Sequence, residues 1–335
     1  MKKLLLSIVA TSVAVVSFAQ SSMLATLSHG GEISTYYGAS ALREAMDAAI
    51  DGDIITLSSG AFVSIDITKA VTIRGAGMGI DNLSKSEPTI ISGDFNINIP
   101  AESTGKLTME GIYHNHNMFY ENLESPTFIK CRFKHIDGAG NTHLKNATFI
   151  HCKIADYFRL FGNGSASLVN CVISGPGCVS STSSNYEFTN CIICTDRIDN
   201  INASTFKNCI IKNTDGGSDM ASSCVAYNCL ALKRDNDEND DIFRNMPNNT
   251  NKVATIEEVM KTYRGDNFTD DERFELTDEA KTKYIGIDGT QVGIYGGNMP
   301  FNTTPTNPQI TKCNVAAKST ADGKLSVDIT VGSAD

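Results

Sequence analysis

Six stretches decide the fold: FIKCRF (128–133), FIHCKI (149–154), LVNCVI (168–173), FTNCII (188–193), FKNCII (206–211) and AYNCLA (226–231). They are near-copies of one another, and Cys131, Cys152, Cys171, Cys191, Cys209 and Cys229 return at intervals of 18 to 21 residues. Upstream, Gly75, Gly93 and Gly111 carry the same spacing. A fixed period of this length marks a solenoid, in which each repeat hides its apolar face only by stacking on its neighbours. Within FTNCII, Phe188 ends one strand pointing inward, Asn190 takes a bend, and Cys191 and Ile193 point inward from the next strand. Asn tolerates the left-handed backbone that such a bend requires. The same position holds Lys130, His151, Asn170, Asn208 and Asn228. Four consecutive Asn predict a ladder of stacked side-chain amides.

The period also speaks to the cysteines. Residues one winding apart lie about 4.8 Å from each other and point the same way. A disulfide wants Cβ atoms ~3.5–4.5 Å apart and turned toward each other. The six repeat cysteines are therefore expected as free, buried thiols acting as small hydrophobes. Cys178, Cys194, Cys224 and Cys313 stand outside the repeat and are the candidates for disulfides. Cys191-Ile-Ile-Cys194 is a lone CxxC inside a strand, with no second pair to complete a metal site.

The first nineteen residues read as a secretory signal peptide. Lys2 and Lys3 give the positive start, Leu4 to Val16 the apolar stretch, and Ser17-Phe18-Ala19 the cleavage site before Gln20. The expectation is a secreted protein with no membrane insertion. Losing Lys2 and Lys3 from a net charge of −10 leaves −12, a balance that disfavours nucleic acid and anionic lipid as partners. The chain has no Trp, so a sugar site here would use Tyr, Phe, His and Arg.

Residues 20–37 form an N-terminal segment, and SALREAMDAAI (40–50) reads as a short amphipathic helix. Ser40 stands at its N-cap, Leu42, Ala45, Met46, Ala49 and Ile50 share one face, and Gly52 closes it. Strands are expected at DIITL (53–57), VSIDI (63–67) and VTIRG (71–75). The helix then covers the open, aggregation-prone end of the solenoid. A capping helix followed by GDIITLSSGAF and ITKAVTIRGAG resembles the entry to the right-handed parallel β-helix of the pectate lyase-like superfamily. The resemblance spans 38–300 and implies an all-β solenoid of about ten coils. It does not fix an activity, because that fold carries lyases, hydrolases, adhesins and inert stalks. Thr255 with Glu258 forms a capping box for a helix near 256–263. FELTDEAKTKYIGIDGTQVGIYGG (274–297) resembles a closing coil. Residues 301–308 read as a linker, and ITKCNVAA and KLSVDITV within 309–335 as a β-hairpin appendage.

Candidate chemistry gathers in the loops after the inward strand residues, expected to stack along one edge. His114 and His116 come first, then His135 and Asp137, then Asp156, Tyr157 and Arg159. Asp196, Arg197 and Asp199 follow, then Asp215 and Asp219. The leading expectation is a non-catalytic scaffold that binds a polysaccharide, a cell-surface glycan or another surface partner along this edge. The alternative is a polysaccharide lyase or glycoside hydrolase acting on an acidic, uronic polymer. Catalytic candidates for it are His135, Asp156, Tyr157, Arg159, Asp196, Arg197 and Asp215. The RxPxxR pattern of pectate lyases is missing. Asn213-Thr214-Asp215-Gly216 matches the NTDG stretch of polygalacturonases, whose other motifs do not follow. No cofactor is required. Calcium is the metal to consider, with Asp235, Asp237, Asn239 and Asp241 at alternating positions of an acidic loop.

Overall fold

The computed structural model describes residues 23–332 apart from 80–86, 176, 181–183, 197, 214–218, 234–240, 247–249, 264–271, 305, 307–308, 316–317 and 321. The signal segment lies outside the described residues.

The chain is an all-β parallel solenoid with two long sheets. The first holds nine parallel strands, from Ile54–Leu57 to Val225–Tyr227, which are eight full windings from first to last. The repeat suggested about ten. The second sheet runs from Gly60–Val63 to Lys252–Thr255. Residue-for-residue register explains the repeat: Phe128 lies beside Phe149, Leu168 beside Phe188, and Phe188 beside Phe206. Their rings stack, with centroids 4.7 Å apart for Phe128 and Phe149 and 4.9 Å for Phe188 and Phe206.

The bend between the sheets is left-handed at every repeat. The φ angles at Lys130, His151, Asn170, Asn190, Asn208 and Asn228 fall between 48° and 55°. Gly111, with φ 63°, is the same bend one winding earlier, since Glu110 pairs with Ile129. The repeat in the glycines is thus shifted by one residue from that in the cysteines. Gly75 and Gly111, one winding apart, each precede the cysteine position, which Ile112 fills after Gly111, and Gly93 follows a strand of the second sheet.

All six repeat thiols are free and buried, and so are Cys194 and Cys224, which corrects their candidacy for disulfides. The side chains of Cys178 and Cys313 lie outside the described set. Each of Cys131, Cys152, Cys171 and Cys191 donates from Sγ to a carbonyl of the preceding winding, at 3.3 to 3.4 Å. Burial raises the pKa of Cys131, Cys171, Cys209 and Cys229, which stay protonated and inert, whereas at Cys152 and Cys191 burial is outweighed by hydrogen bonds from the neighbouring thiols and the backbone, which pull the pKa down.

The N-terminal end is closed by more than a helix. An antiparallel hairpin, Leu24–His29 with Glu32–Tyr37, adds to the first sheet, a pairing that sequence patterning did not reveal. The helix spans Ala41–Ala48; Ser40 holds the N-cap position without a side-chain bond, and Ile50 points to solvent. The first strand of the second sheet is Gly60–Val63 rather than 63–67. The capping box at Thr255 and Glu258 forms as expected, on a helix limited to Ile256–Val259.

The C-terminal part departs most from expectation. Residues 284–304, with Thr306, do not make another coil. They run back along the outside of the bends as a strap. Asn228 Nδ2 donates to Ile285 O at 3.1 Å, and Asn208 Oδ1 accepts from Ile287 N at 2.8 Å. Asn170 Nδ2 donates to Ile294 O and Gly296 O, His151 Nε2 to Met299 O, and Lys130 Nζ to Thr304 O. Thr306 Oγ1 reaches Glu110. The amides of Asn170, Asn208 and Asn228 therefore bond to the strap, and among the described residues no bend amide bonds to another, so the Asn repeat at one position of successive windings without the expected amide ladder. Glycine makes the approach possible: a Cβ on Gly297, where φ is +76°, would sit 2.3 Å from Asn190 Nδ2. The segment read as a linker thus carries two of the strap's contacts. Beyond it, Gln309–Val315 and Val327–Gly332 pair as an antiparallel hairpin.

The helices Ile256–Val259 and Asp278–Lys283 and the strap also cover the outer face of the later coils. Val172, Ile192, Ile210 and Leu230 point outward there, yet are buried against Tyr263, Phe274, Leu276, Val292 and Ile294. The second sheet is consequently buried on both faces in its later coils. Earlier, the same outward row carries Tyr113 and Arg132, with the guanidinium 4.5 Å from the ring centroid.

One titratable group turns inward. His114 was expected on the loop edge but lies in the core between Ile91 and Phe133, fully buried, with Nδ1 2.9 Å from Ile91 O. Its Nε2 is buried and has no partner. Burial holds its pKa below the ordinary value, and burial does the same to His151. A histidine with a depressed native pKa binds more protons when unfolded. Stability should therefore be complete above about pH 6.5 and fall as pH drops below it. Denaturant midpoints at pH 7.5 and 5.5 measure the decline. His114→Leu is expected to reduce it, and an unchanged pH dependence in that variant would exclude His114 as a source.

Candidate functional site

Three neighbouring coils have the longest strands of the second sheet: Ile112–Glu124, Arg132–Lys145 and Lys153–Leu160. Met118, Ile136 and Phe158 lie side by side and are buried in the core. Alternation along a strand then sends their neighbours to the outside. Two outward rows result: Asn117, His135 and Tyr157, and Phe119, Asp137 and Arg159. Together they form a shelf.

The candidate residues His135, Asp156, Tyr157 and Arg159 do converge here. They come from extended strands and not from loops, which corrects their expected setting. Register shifts between Phe133 and His135 on both pairings show bulges, and Asp156 sits in one of them. A bulge re-aims a side chain, and here the Asp156 carboxylate comes within 3.9 Å of His135 Nδ1. That is beyond hydrogen-bond length. The His135 and Tyr157 rings stack at 4.9 Å with 16° between planes, and the Arg159 guanidinium lies 4.2 Å from the Tyr157 centroid. Arg159 Nη1 also donates to Asp137 Oδ2 at 3.0 Å. His135 Nε2 is buried and makes no hydrogen bond.

The upstream edge of the shelf is carboxylate again. Asn117 donates its backbone and amide N–H to the two oxygens of Asp94, which holds that carboxyl below the usual range. One winding earlier, Asn96 donates both groups to Asp66. Phe119 presents its ring to solvent, 36% exposed, among these polar groups. Sequence reading missed Asp94, Asn117 and Phe119. The available signal was Met118-Phe119-Tyr120, three apolar residues in a strand, of which strict alternation must leave one outside.

The other candidates do not join the shelf. Asp196 is exposed at the end of a strand two windings further on. Arg197, Asp215, Asp235, Asp237 and Asn239 lie outside the described residues. Asp241 accepts from Phe243 N at 2.9 Å. Among the described residues no three His, Cys, Asp or Glu side chains are placed to hold a metal ion. Two depressions, of about 340 Å³ beside Glu275, Lys281 and Tyr295 and about 300 Å³ beside Thr148, Ser167 and Glu187, lie away from the shelf.

No protein-family model matches the chain, and no curated protein and no solved structure matches it. The chemistry of the shelf therefore has to be read from its own atoms. Aromatic faces, carboxylate acceptors and a few donors, arranged across three coils, suit an extended polar chain lying over them.

Proposed function

We propose that this is an exported β-helix of the pectate lyase-like superfamily, cleaved near Ala19-Gln20, that acts without catalysis by binding an extended glycan. The glycan lies across the shelf formed by Asn117, Phe119, His135, Asp137, Tyr157 and Arg159. The observation that carries this reading is the contrast along the second sheet. Its later coils have an apolar outer face buried under the C-terminal segment, whereas these three present aromatic and charged side chains. One exposed ring, Phe119, beside the half-buried Tyr157 and His135 and among hydrogen-bonding groups, is a common arrangement for recognition.

A second reading, an enzyme acting on uronic polysaccharide, draws support from the packing of His135, Asp156 and Tyr157. Against it, Arg159 is engaged by Asp137, and His135 is not hydrogen-bonded to Asp156. The His135 imidazole thus lacks the hydrogen-bonded partner that would set its tautomer. The test is binding of a glycan panel to the mature protein beside Phe119→Ala and Arg159→Ala. Wild type is expected to retain at least one glycan, and each variant to bind it about tenfold more weakly. Release of ultraviolet-absorbing unsaturated sugar from uronic polymers would favour the enzyme instead.

A further inference from the structure

The charge pattern of the shelf narrows the ligand, granted the glycan-binding reading above. We infer that the glycan is neutral and rich in hydroxyls, and is not a uronic polymer. Carboxylates mark this edge on four of five neighbouring windings, Asp66, Asp94, Asp137 and Asp156, the winding of Asn117 and Phe119 lying between those of Asp94 and Asp137. Asp66 and Asp94 are held by neutral amides, from Asn96 and Asn117, so their charge is undiminished by any cation in those pairs. Arg159 is the one guanidinium on the two outward rows, and its Nη1 is 3.0 Å from Asp137 Oδ2. His135 lies 3.9 Å from Asp156, close enough to prefer the anion beside it to a second anion arriving from a ligand. Two of the same strands also carry exposed Lys134 and Glu121, one charge of each sign.

A uronic chain would set its own carboxylates against this edge, and like charges brought together across an interface weaken binding strongly. Sugar hydroxyls have the opposite relation to it. Each carboxylate oxygen has spare lone pairs and can accept from an O–H, and hydrogen bonds to a charged acceptor are the stronger kind. Phe119 supplies an apolar face beside those acceptors. Aromatic contact flanked by carboxylate acceptors is complementary to an uncharged sugar ring.

The experiment is calorimetric titration of the mature protein with hexasaccharides of glucose, xylose and mannose, and with hexagalacturonate, at low and high salt. At least one neutral oligosaccharide is expected to bind. Hexagalacturonate should be weaker by about tenfold or more at low salt, with the gap closing as salt screens the repulsion. Asp94→Asn with Asp156→Asn should raise hexagalacturonate affinity and leave the salt dependence of neutral binding flat; circular dichroism checks the fold. Tightest binding to hexagalacturonate would overturn the inference while leaving glycan binding intact. Failure of every oligosaccharide to bind would overturn both.

Discussion

A chain ended after Lys283 is expected to lose cooperative folding. The deletion removes Val292 and Ile294, which are buried against the outer face of the later coils, and exposes Val172, Ile192 and Ile210. Each buried aliphatic side chain contributes about 1.5–3 kcal/mol. The same cut takes away the carbonyls that receive Lys130, His151 and Asn170, hydrogen bonds contributing about 0.5–1.5 kcal/mol each. Together these exceed about 5 kcal/mol, which is comparable with the whole stability of many domains. The readout is thiol labelling under native conditions. The buried thiols of the full chain should stay silent, and those of the shortened chain should react. A truncated protein with protected thiols and an unchanged urea midpoint would show that the strap adds little.

Phe149→Ala is the second large effect. Phe149 is fully buried, stacked on Phe128 at 4.7 Å and edge-on to Phe158 at 4.9 Å. Its neighbours belong to coils fixed above and below by main-chain pairing, so they have little freedom to close the space. Removing a buried Phe side chain costs about 3–5 kcal/mol, by lost transfer energy and by the cavity left behind. The urea midpoint should fall with the slope unchanged. A loss under ~1 kcal/mol would mean the stack relaxes around the gap. Shelf substitutions such as Phe119→Ala should leave this midpoint nearly where it was, which separates binding loss from unfolding.

The solenoid was legible because its constraint is one-dimensional. A coil that repeats every 18 to 21 residues must put Phe128, Phe149, Phe188 and Phe206 in one column, and register does the rest. The left-handed bends were legible for the same reason, since Asn at a fixed phase has few other uses. The strap was not. Its contacts are mostly backbone groups, with a few side chains such as Thr306, from a stretch with no period, reaching residues 57 to 196 positions away. One clue did exist. Arg132 and Lys153 give way to Val172, Ile192, Ile210 and Leu230 at the outward position beside the cysteine, and such a change from charged to apolar announces a cover. Lys153 stands at that boundary, buried, with its ammonium 5.7 Å from the Phe301 ring centroid.

The shelf was half legible. His135, Asp156, Tyr157 and Arg159 were chosen by their chemistry, and the bulges that gather them are one-residue shifts that no composition records. Alternation alone would have put Asp156 and Tyr157 on opposite faces. Phe119 escaped notice because an aromatic residue between Met118 and Tyr120 reads as one more core position. His114 shows the reverse error, a titratable group assigned to the surface by type and carried inside by register.

The backward course of residues 284–304 has a temporal consequence. Synthesis lays the coils down from Ile54 onward, but the groups that fasten Lys130 and His151 are Thr304 and Met299, made 174 and 148 residues later. A growing chain can wind but cannot button. The half-made protein is therefore looser than the finished one along its entire seam, and it gains its rigidity in one late event as its tail swings home.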